Sequence, residues 1–320
     1  MTLTSGNMMI PISMTMGDAE NSKMILNMIV PEAAHETGHR SDNIIGQTLR
    51  ELNFEEELFA KTSSYNVAEE LLKDKGVIFL VGPPGSGKTL MARKLAKSVC
   101  ISNRDNVWIP LCLKSPREWR EHVRPDSHHV ILMEDIFGFN DFDKKAFSKW
   151  KILNMESMID AKTKRIIFTL RMHVLREALP HLQKFPLFNW TQVVDIVQEL
   201  DDGKLSVREK SAMLSKHIKH HNLNDKIGMD IVKAILSSDT LSNFPCCCRC
   251  FCQDRHLHTV DNAVRFFNNP VECFEKEICL LYNEENKTKF GALLLTMVTN
   301  GMLDTNLLDD NKKSDLHDEK

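Results

Sequence analysis

The sequence predicts an α/β protein in which a parallel sheet is covered by helices on both faces, with an all-helical segment after it. Apolar runs of strand length at Val77–Val81, Val107–Cys112, Val130–Glu134, Arg165–Leu170 and Val193–Val197 alternate with helix-compatible stretches. That is the pattern of parallel strands joined by crossover helices. A glycine-rich segment, Gly82-Pro83-Pro84-Gly85-Ser86-Gly87-Lys88-Thr89, directly follows the first run. After Gly203 the strand pattern stops and only helical periodicity remains.

Along the chain, residues 1–54 show no sustained period and read as a poorly ordered or partly helical lead-in. Tyr65–Lys73 is an amphipathic helix, and Gly76 punctuates it before the β-branched run Val77–Val81. Helices are expected near Leu90–Val99, Pro116–His122, Asp143–Ile159 and Val174–Leu182, each between two strands. Ser206 and Glu209 are spaced as a capping box ahead of Met213, Leu214 and Ile218. The expected divisions are a lead-in at 1–54, a nucleotide-binding domain at 55–202, a helical lid at 203–285 and a remnant of a further domain at 286–320. The last division holds an apolar helix at Phe290–Val298 and a charged tail from Asp309.

The chain has 320 residues, 42% of them hydrophobic and 27% charged, which excludes a disordered or fibrous protein. A net charge of −3 provides no field for nucleic acid or for a membrane surface. The longest apolar runs are strand-sized, so no spanning helix is expected, and the Met-rich start lacks a basic flank and an unbroken apolar stretch of the secretory kind. Seven of the nine cysteines lie between Cys246 and Cys279. Without an export pattern, reduced thiols and a cytoplasmic location are expected.

Three metal-like patterns are read as decoys. His35-Glu36-Thr37-Gly38-His39 has the spacing of a zinc-protease helix, but Gly38 lies inside the required turn and no third ligand follows. Cys247 and Cys250 with His256 and His258 lack a second well-spaced pair, and a buried helix face using cysteine as a small apolar residue is expected instead. His217 and His221, one turn apart, read as a solvated helix end. Asn311–Asp315 is one residue out of register for a guanine pocket, and Asn286-Lys287-Thr288 is a glycosylation triplet only in an exported chain.

The phosphate chemistry is more specific. Gly82 to Thr89 lies between an apolar strand and a helix whose Ala92, Leu95, Ala96 and Val99 form one face, the context that a phosphate-binding loop requires. Its glycines let backbone N–H groups and a helix N-terminus point at a polyphosphate. The candidate nucleotide contacts are therefore Gly82, Pro83, Pro84, Gly85, Ser86, Gly87, Lys88, Thr89 and the adjoining Leu90. Lys88 reaches the outer phosphates, and Thr89 offers a hydroxyl to Mg²⁺. The strand Val130–Glu134 ends in the acidic pair Glu134 and Asp135, which supplies carboxylates for Mg²⁺ and an attacking water. Consecutive strand residues face opposite ways, so one acid faces the metal, and spacing does not decide which. The next strand ends at Arg171, a candidate γ-phosphate contact.

Taken in order, GVIFLVGPPGSGKT, VILMEDIFGFND, RIIFTLRMHVL, KLSVREKSAMLSKHI and NFPCCCRCF with VRFFNNPVECFEKEI resemble STAND-class P-loop ATPases, in particular the novel STAND NTPase type three group, over about residues 55–305. The resemblance implies a sheet in the order 5-1-4-3-2, a helical lid over the nucleotide and a winged helix beyond. It implies a Mg²⁺-side acid at Glu134, a water-orienting acid at Asp135, a sensor arginine at Arg171 and a base or sugar contact at Pro245. Two positions depart from the group pattern: Glu134 stands for the usual Asp, and Asn243 for the glycine of the lid motif. The implied activity is ATP binding with slow hydrolysis in a signalling switch, with ATP or ADP and Mg²⁺ as cofactors. A protein partner or self-association through the lid is expected, and no nucleic acid or membrane partner. A nucleotide-binding module without turnover and a small-molecule P-loop kinase are the alternatives.

Overall fold

The computed structural model describes residues 39–53, 56–102, 106–138, 141–152, 162–182, 193–195, 205–238, 243–281 and 291. The Glu36 pattern apart from His39, the Asn286 triplet, the Asn311 look-alike and the charged tail lie outside these residues, as does all of Phe290–Val298 except Gly291.

Five strands form one parallel sheet: β1 (Val77–Val81), β2 (Trp108–Cys112), β3 (His128–Glu134), β4 (Lys164–Leu170) and β5 (Val193–Asp195). Their order is β2-β3-β4-β1-β5, the expected 5-1-4-3-2 order read from the other edge. Every residue of β1 is buried. The strand period of two sends Val77, Phe79 and Val81 to one face and Ile78 and Leu80 to the other, and each set joins a separate apolar cluster. Phe79 stacks on its register partner Phe168 with ring centroids 4.7 Å apart. Burying each such side chain contributes roughly 1.5–3 kcal/mol.

The first face is covered by α1 (His39–Asn53), through Ile45 and Leu49, and by α6 (Met172–Leu182), through Val174, Leu175 and Ala178. α4 (Pro116–His122) and α5 (Lys144–Ile152) add Trp119, Phe147 and Trp150 to this cluster. The second face is covered by α2 (Ser63–Lys75) and α3 (Lys88–Ser102), through Ala68, Leu72, Ala92, Leu95 and Ala96. α1 falls in the segment read as a lead-in. Its Thr48 hydroxyl accepts a 3.0 Å hydrogen bond from Cys112 N, which ties it to edge strand β2. Thr62 caps α2 by accepting from Tyr65 N, and Gly76, at φ 76°, ends it by donating to Leu72 O. That left-handed residue turns the chain straight into β1.

Beyond the sheet, α7 (Val207–His220), α8 (Met229–Leu236), α9 (Phe244–Gln253), α10 (Val260–Asn268) and α11 (Pro270–Leu281) follow. The Ser206–Glu209 capping box is present at the start of α7. α7, α8, α9 and α10 share an apolar cluster of their own, with Leu214, Ile235, Phe244, Cys248, Phe251, Ala263 and Phe267 at its centre. Glu209 also accepts a 2.6 Å hydrogen bond from Ser63 N, and Lys216 donates to Glu57 O at 3.3 Å, so α7 is fastened to the approach to α2. No helix among the described residues is long and apolar enough to cross a membrane.

Candidate functional site

The sheet positions the site by ending three adjacent strands, β1, β3 and β4, at one edge. β1 runs into Gly82, whose N–H donates to Leu170 O at 3.4 Å. The loop then closes on itself, with Ser86 N–H and hydroxyl both donating to Pro83 O, at 3.4 and 2.9 Å. Gly85 and Gly87 adopt φ of 77° and 91°, a region that glycine enters without steric penalty. α3 opens at Lys88, and Met91 N–H bonds Gly87 O, so the first turn of the helix faces the loop. Thr89 and Leu90 are half-buried in that turn.

Lys88 folds back into the loop, where its Nζ donates to Gly82 O at 2.9 Å and to Pro83 O at 2.8 Å. Burial pushes its ammonium below the ordinary value, with Asp135 opposing that shift and Arg171 adding to it. Burial likewise pushes the Asp135 carboxyl up, and Lys88 and Arg171 pull it back. Lys88, Asp135 and Arg171 thus form one electrostatic group at the strand ends. Asp135 sits just past β3 at φ 45°, an uncommon conformation for a residue with a side chain, and its N–H donates to Thr169 O at 3.0 Å and Thr169 Oγ1 at 3.2 Å. Its Oδ1 is buried and has no hydrogen-bond partner among the described residues. Gly138, at φ 117°, closes the turn that follows; a Cβ there would lie 2.0 Å from Asp141 O.

Glu134 engages a different set of charges. Its Oε1 lies 3.7 Å from Arg93 Nε of α3. Burial raises its carboxyl, Arg93 and Lys114 lower it, and Glu51 of α1 and Asp135 raise it further. Sequence reasoning missed Arg93 and Glu51 because they are local to neither acid, and no pattern along the chain couples them.

The helical segment beyond the sheet meets the loop through the start of α9. A Cβ on Gly87 would lie 3.9 Å from Pro245 Cγ, and one on Gly85 would lie 2.8 Å from Cys246 Cβ. Pro245, which the resemblance assigns to base or sugar, lies beside Gly87, and Cys246 next to it was not anticipated. The other cysteine expectation meets a plain geometry: Cys247, Cys248 and Cys252 are buried in the apolar cluster shared by α7 to α10, and His258 Nε2 bonds Phe251 O at 2.9 Å. Among the described residues no three His, Cys, Asp or Glu side chains converge on one point. His217 is buried in α7 rather than solvated.

The groups present suit a polyphosphate and its cation. A glycine-shaped loop opens onto a helix N-terminus, a lysine is held only by neutral carbonyls, and a buried carboxylate oxygen lacks a partner.

The profile of the family described as Novel STAND NTPase 3 matches residues 59–220. A spastin homolog of Caenorhabditis elegans is 23% identical over 233 residues, covering 68% of this chain and 43% of the relative, so the chain spans less than half of that protein's length. Among solved structures, C. elegans PCH-2 is similar at 13% identity, covering 67% of this chain and 66% of that one with a TM-score of 0.35. The AMPPCP-bound DnaA from Aquifex aeolicus is similar at 15% identity, covering 69% of each chain with a TM-score of 0.38.

Proposed function

Because the chain belongs to the Novel STAND NTPase 3 family and is a nucleotide-binding P-loop NTPase, we propose that it binds ATP with Mg²⁺, hydrolyses it slowly and acts as a nucleotide-dependent signalling switch in the cytoplasm. The observation that carries this reading is the grouping of Lys88, Asp135 and Arg171 at the mouth of the glycine loop. A bound nucleoside triphosphate with Mg²⁺ supplies the phosphoanhydride to be broken and the charge neutralisation at its phosphates.

The residues then divide the work. The loop N–H groups and the first turn of α3 hold the phosphates. Lys88 exchanges its two carbonyl partners for phosphate oxygens, a change from neutral to charged acceptors that strengthens each bond. Thr89 and Glu134 are the candidate metal-side ligands. Asp135 Oδ1 orients the attacking water and receives its proton; a carboxyl raised by burial is the better acceptor. Arg171 donates to the transferred phosphoryl group, and Pro245 packs against base or sugar. Nucleotide bridging the loop and α9 favours a closed lid, and its loss favours an open one. Exposed Val207, Met229, Val271 and Phe274 on the lid give a partner protein or a second copy an apolar surface to engage.

A second reading, binding without turnover, is favoured by the contact of Arg93 with Glu134, which occupies the acid proposed for the metal side. Phosphate release from ATP, GTP and ADP with Mg²⁺ separates the two. The expected outcome is slow release from ATP, lowered about 10²–10⁴-fold by Asp135→Asn with ATP affinity nearly intact. Equal release by parent and variant removes Asp135 from the chemistry, and ADP formed only with an added small-molecule acceptor, which takes up the phosphoryl group so that no free phosphate appears, makes the protein a kinase.

A further inference from the structure

Cys246 lies where the lid meets the crown of the phosphate loop. It is the third residue of α9 and has an exposed side chain. A Cβ on Gly85 would lie 2.8 Å from Cys246 Cβ and 3.4 Å from its Sγ, so the contact leaves no room for a single added carbon. Its surroundings are those of a reactive thiol. Cys250, one helical turn on, hydrogen-bonds it, and Arg249 stands three residues away. Both favour the thiolate, the hydrogen bond more than the charge, and they hold Cys246 below the ordinary thiol value against the opposing effect of burial.

The other described cysteines are placed oppositely. Burial pushes up Cys100, Cys112, Cys247, Cys248 and Cys252. Cys250 is pushed up by its bond with Cys246. Buried cysteines serve as small apolar side chains in the lid cluster, whereas Cys246, exposed at the contact between two units, has no such packing role.

We propose that Cys246 is a modification site for low-molecular-weight disulfides of the glutathione class, and that the mixed disulfide props α9 off the phosphate loop and closes the site to nucleotide. The second half of the proposal rests on the nucleotide-site reading given above. Cys246 Sγ, as thiolate, attacks one sulfur of the disulfide. A new S–S bond forms as the reagent's S–S bond breaks, and the departing half leaves as a thiolate that takes a proton from water. The Cys246 sulfur is oxidised and the departing sulfur is reduced, with no further oxidant. Cys246 already lies against the crown of the loop at Gly85, so a group as large as glutathione on its sulfur crowds that contact. A reducing thiol reverses the step, which gives the nucleotide switch a second, redox input.

The test uses the full chain, reduced and then incubated with glutathione disulfide at neutral pH. Samples quenched by acid are mapped by peptide mass spectrometry, and parallel samples are read for the melting shift induced by ATP with Mg²⁺. Cys246 is expected to be modified at least about tenfold faster than any other cysteine. The ATP-induced shift is expected to vanish in proportion and to return with dithiothreitol. Cys246→Ser keeps the shift and becomes indifferent to the reagent, and Cys250→Ala slows labelling of Cys246. Labelling led by exposed Cys279, or spread evenly, overturns the site. An unchanged rate in Cys250→Ala overturns the source of its reactivity. Full modification of Cys246 with the ATP shift intact overturns the gating. Absence of any ATP shift in the reduced parent counts instead against the nucleotide reading, and the labelling order still decides the site.

Discussion

Lys88→Ala bears most directly on the phosphate loop. Lys88 is only 9% exposed, and its ammonium is held by Gly82 O and Pro83 O at 2.9 and 2.8 Å. A hydrogen bond to a charged group contributes about 1.5–3 kcal/mol, so losing one to phosphate weakens ATP binding by about 10- to 160-fold. With ATP at about a hundred times the parental Kd, the parent gains about 2.7 kcal/mol of stability. A variant binding about 50-fold more weakly gains about 0.6 kcal/mol. At about 2–4 °C per kcal/mol for a chain of this size, a parental melting shift of about 5–10 °C shrinks to about 1–2 °C. Truncation also takes the Lys88 donor from buried Gly82 O, while Pro83 O keeps the two donors of Ser86, costing the nucleotide-free protein about 1–3 kcal/mol, so each shift is taken from its own baseline. Thermal melts with and without ATP and Mg²⁺ supply the readout. A variant whose shift equals the parent's would refute the assignment of Lys88 to phosphate.

Glu134→Gln is expected to weaken the Mg²⁺ dependence of ATP binding several-fold while leaving metal-free binding unchanged, and an unaltered magnesium titration takes Glu134 off the metal side. Gly138→Ala places a Cβ 2.0 Å from Asp141 O at φ 117°, and should cost about 2 kcal/mol or more in urea unfolding. A loss within about 0.5 kcal/mol contradicts the need for glycine there. His217, 5% exposed, is pushed down to about 4 by burial, with Arg249, His221 and His220 adding. Its folded value lies below its ordinary 6.5, so the unfolded chain binds more protons between the two, and stability falls as pH drops from 6.5 towards 4. The loss reaches about 3 kcal/mol, and His217→Gln should flatten that limb of the stability curve, whereas an identical limb assigns the acid sensitivity elsewhere.

The strands were legible because doubly covered strands must be apolar throughout. The runs starting at Val77 and Val130 show this, and both strand ends fall where acid or glycine interrupts the run. α1 was not legible. Its buried stripe of Ile45, Leu49 and Leu52 includes Thr48, 1% exposed and engaged by Cys112 N, so a polar residue does a structural task that periodicity counts as solvent-facing. Gly46, at the middle of the helix, dilutes the signal further. Within the site, the loop and its acids are local patterns and could be read. The approach of Cys246 to Gly85 and the reach of Arg93 to Glu134 join segments far apart in sequence, and no spacing rule connects them.

The two acids illustrate how local geometry resolves what period alone leaves open. Glu134 ends β3 in extended backbone, and Asp135 follows at φ 45°, so the chain turns between them and the two carboxylates meet different charges. Asp135 shares the field of Lys88 and Arg171, and Glu134 shares that of Arg93, Glu51 and Lys114. Engagement of Glu134 by Arg93 would argue against a metal role if the pair were strong. At 3.7 Å, with side chains 18% and 38% exposed, it falls among ion pairs that contribute only about 0–1 kcal/mol. Burial and two neighbouring acids act the other way and leave the Glu134 carboxyl raised despite Arg93. What this carboxylate lacks is positive charge. A cation held by Thr89 and the phosphates would meet that need at little cost, since Arg93 restrains Glu134 too weakly to bar it.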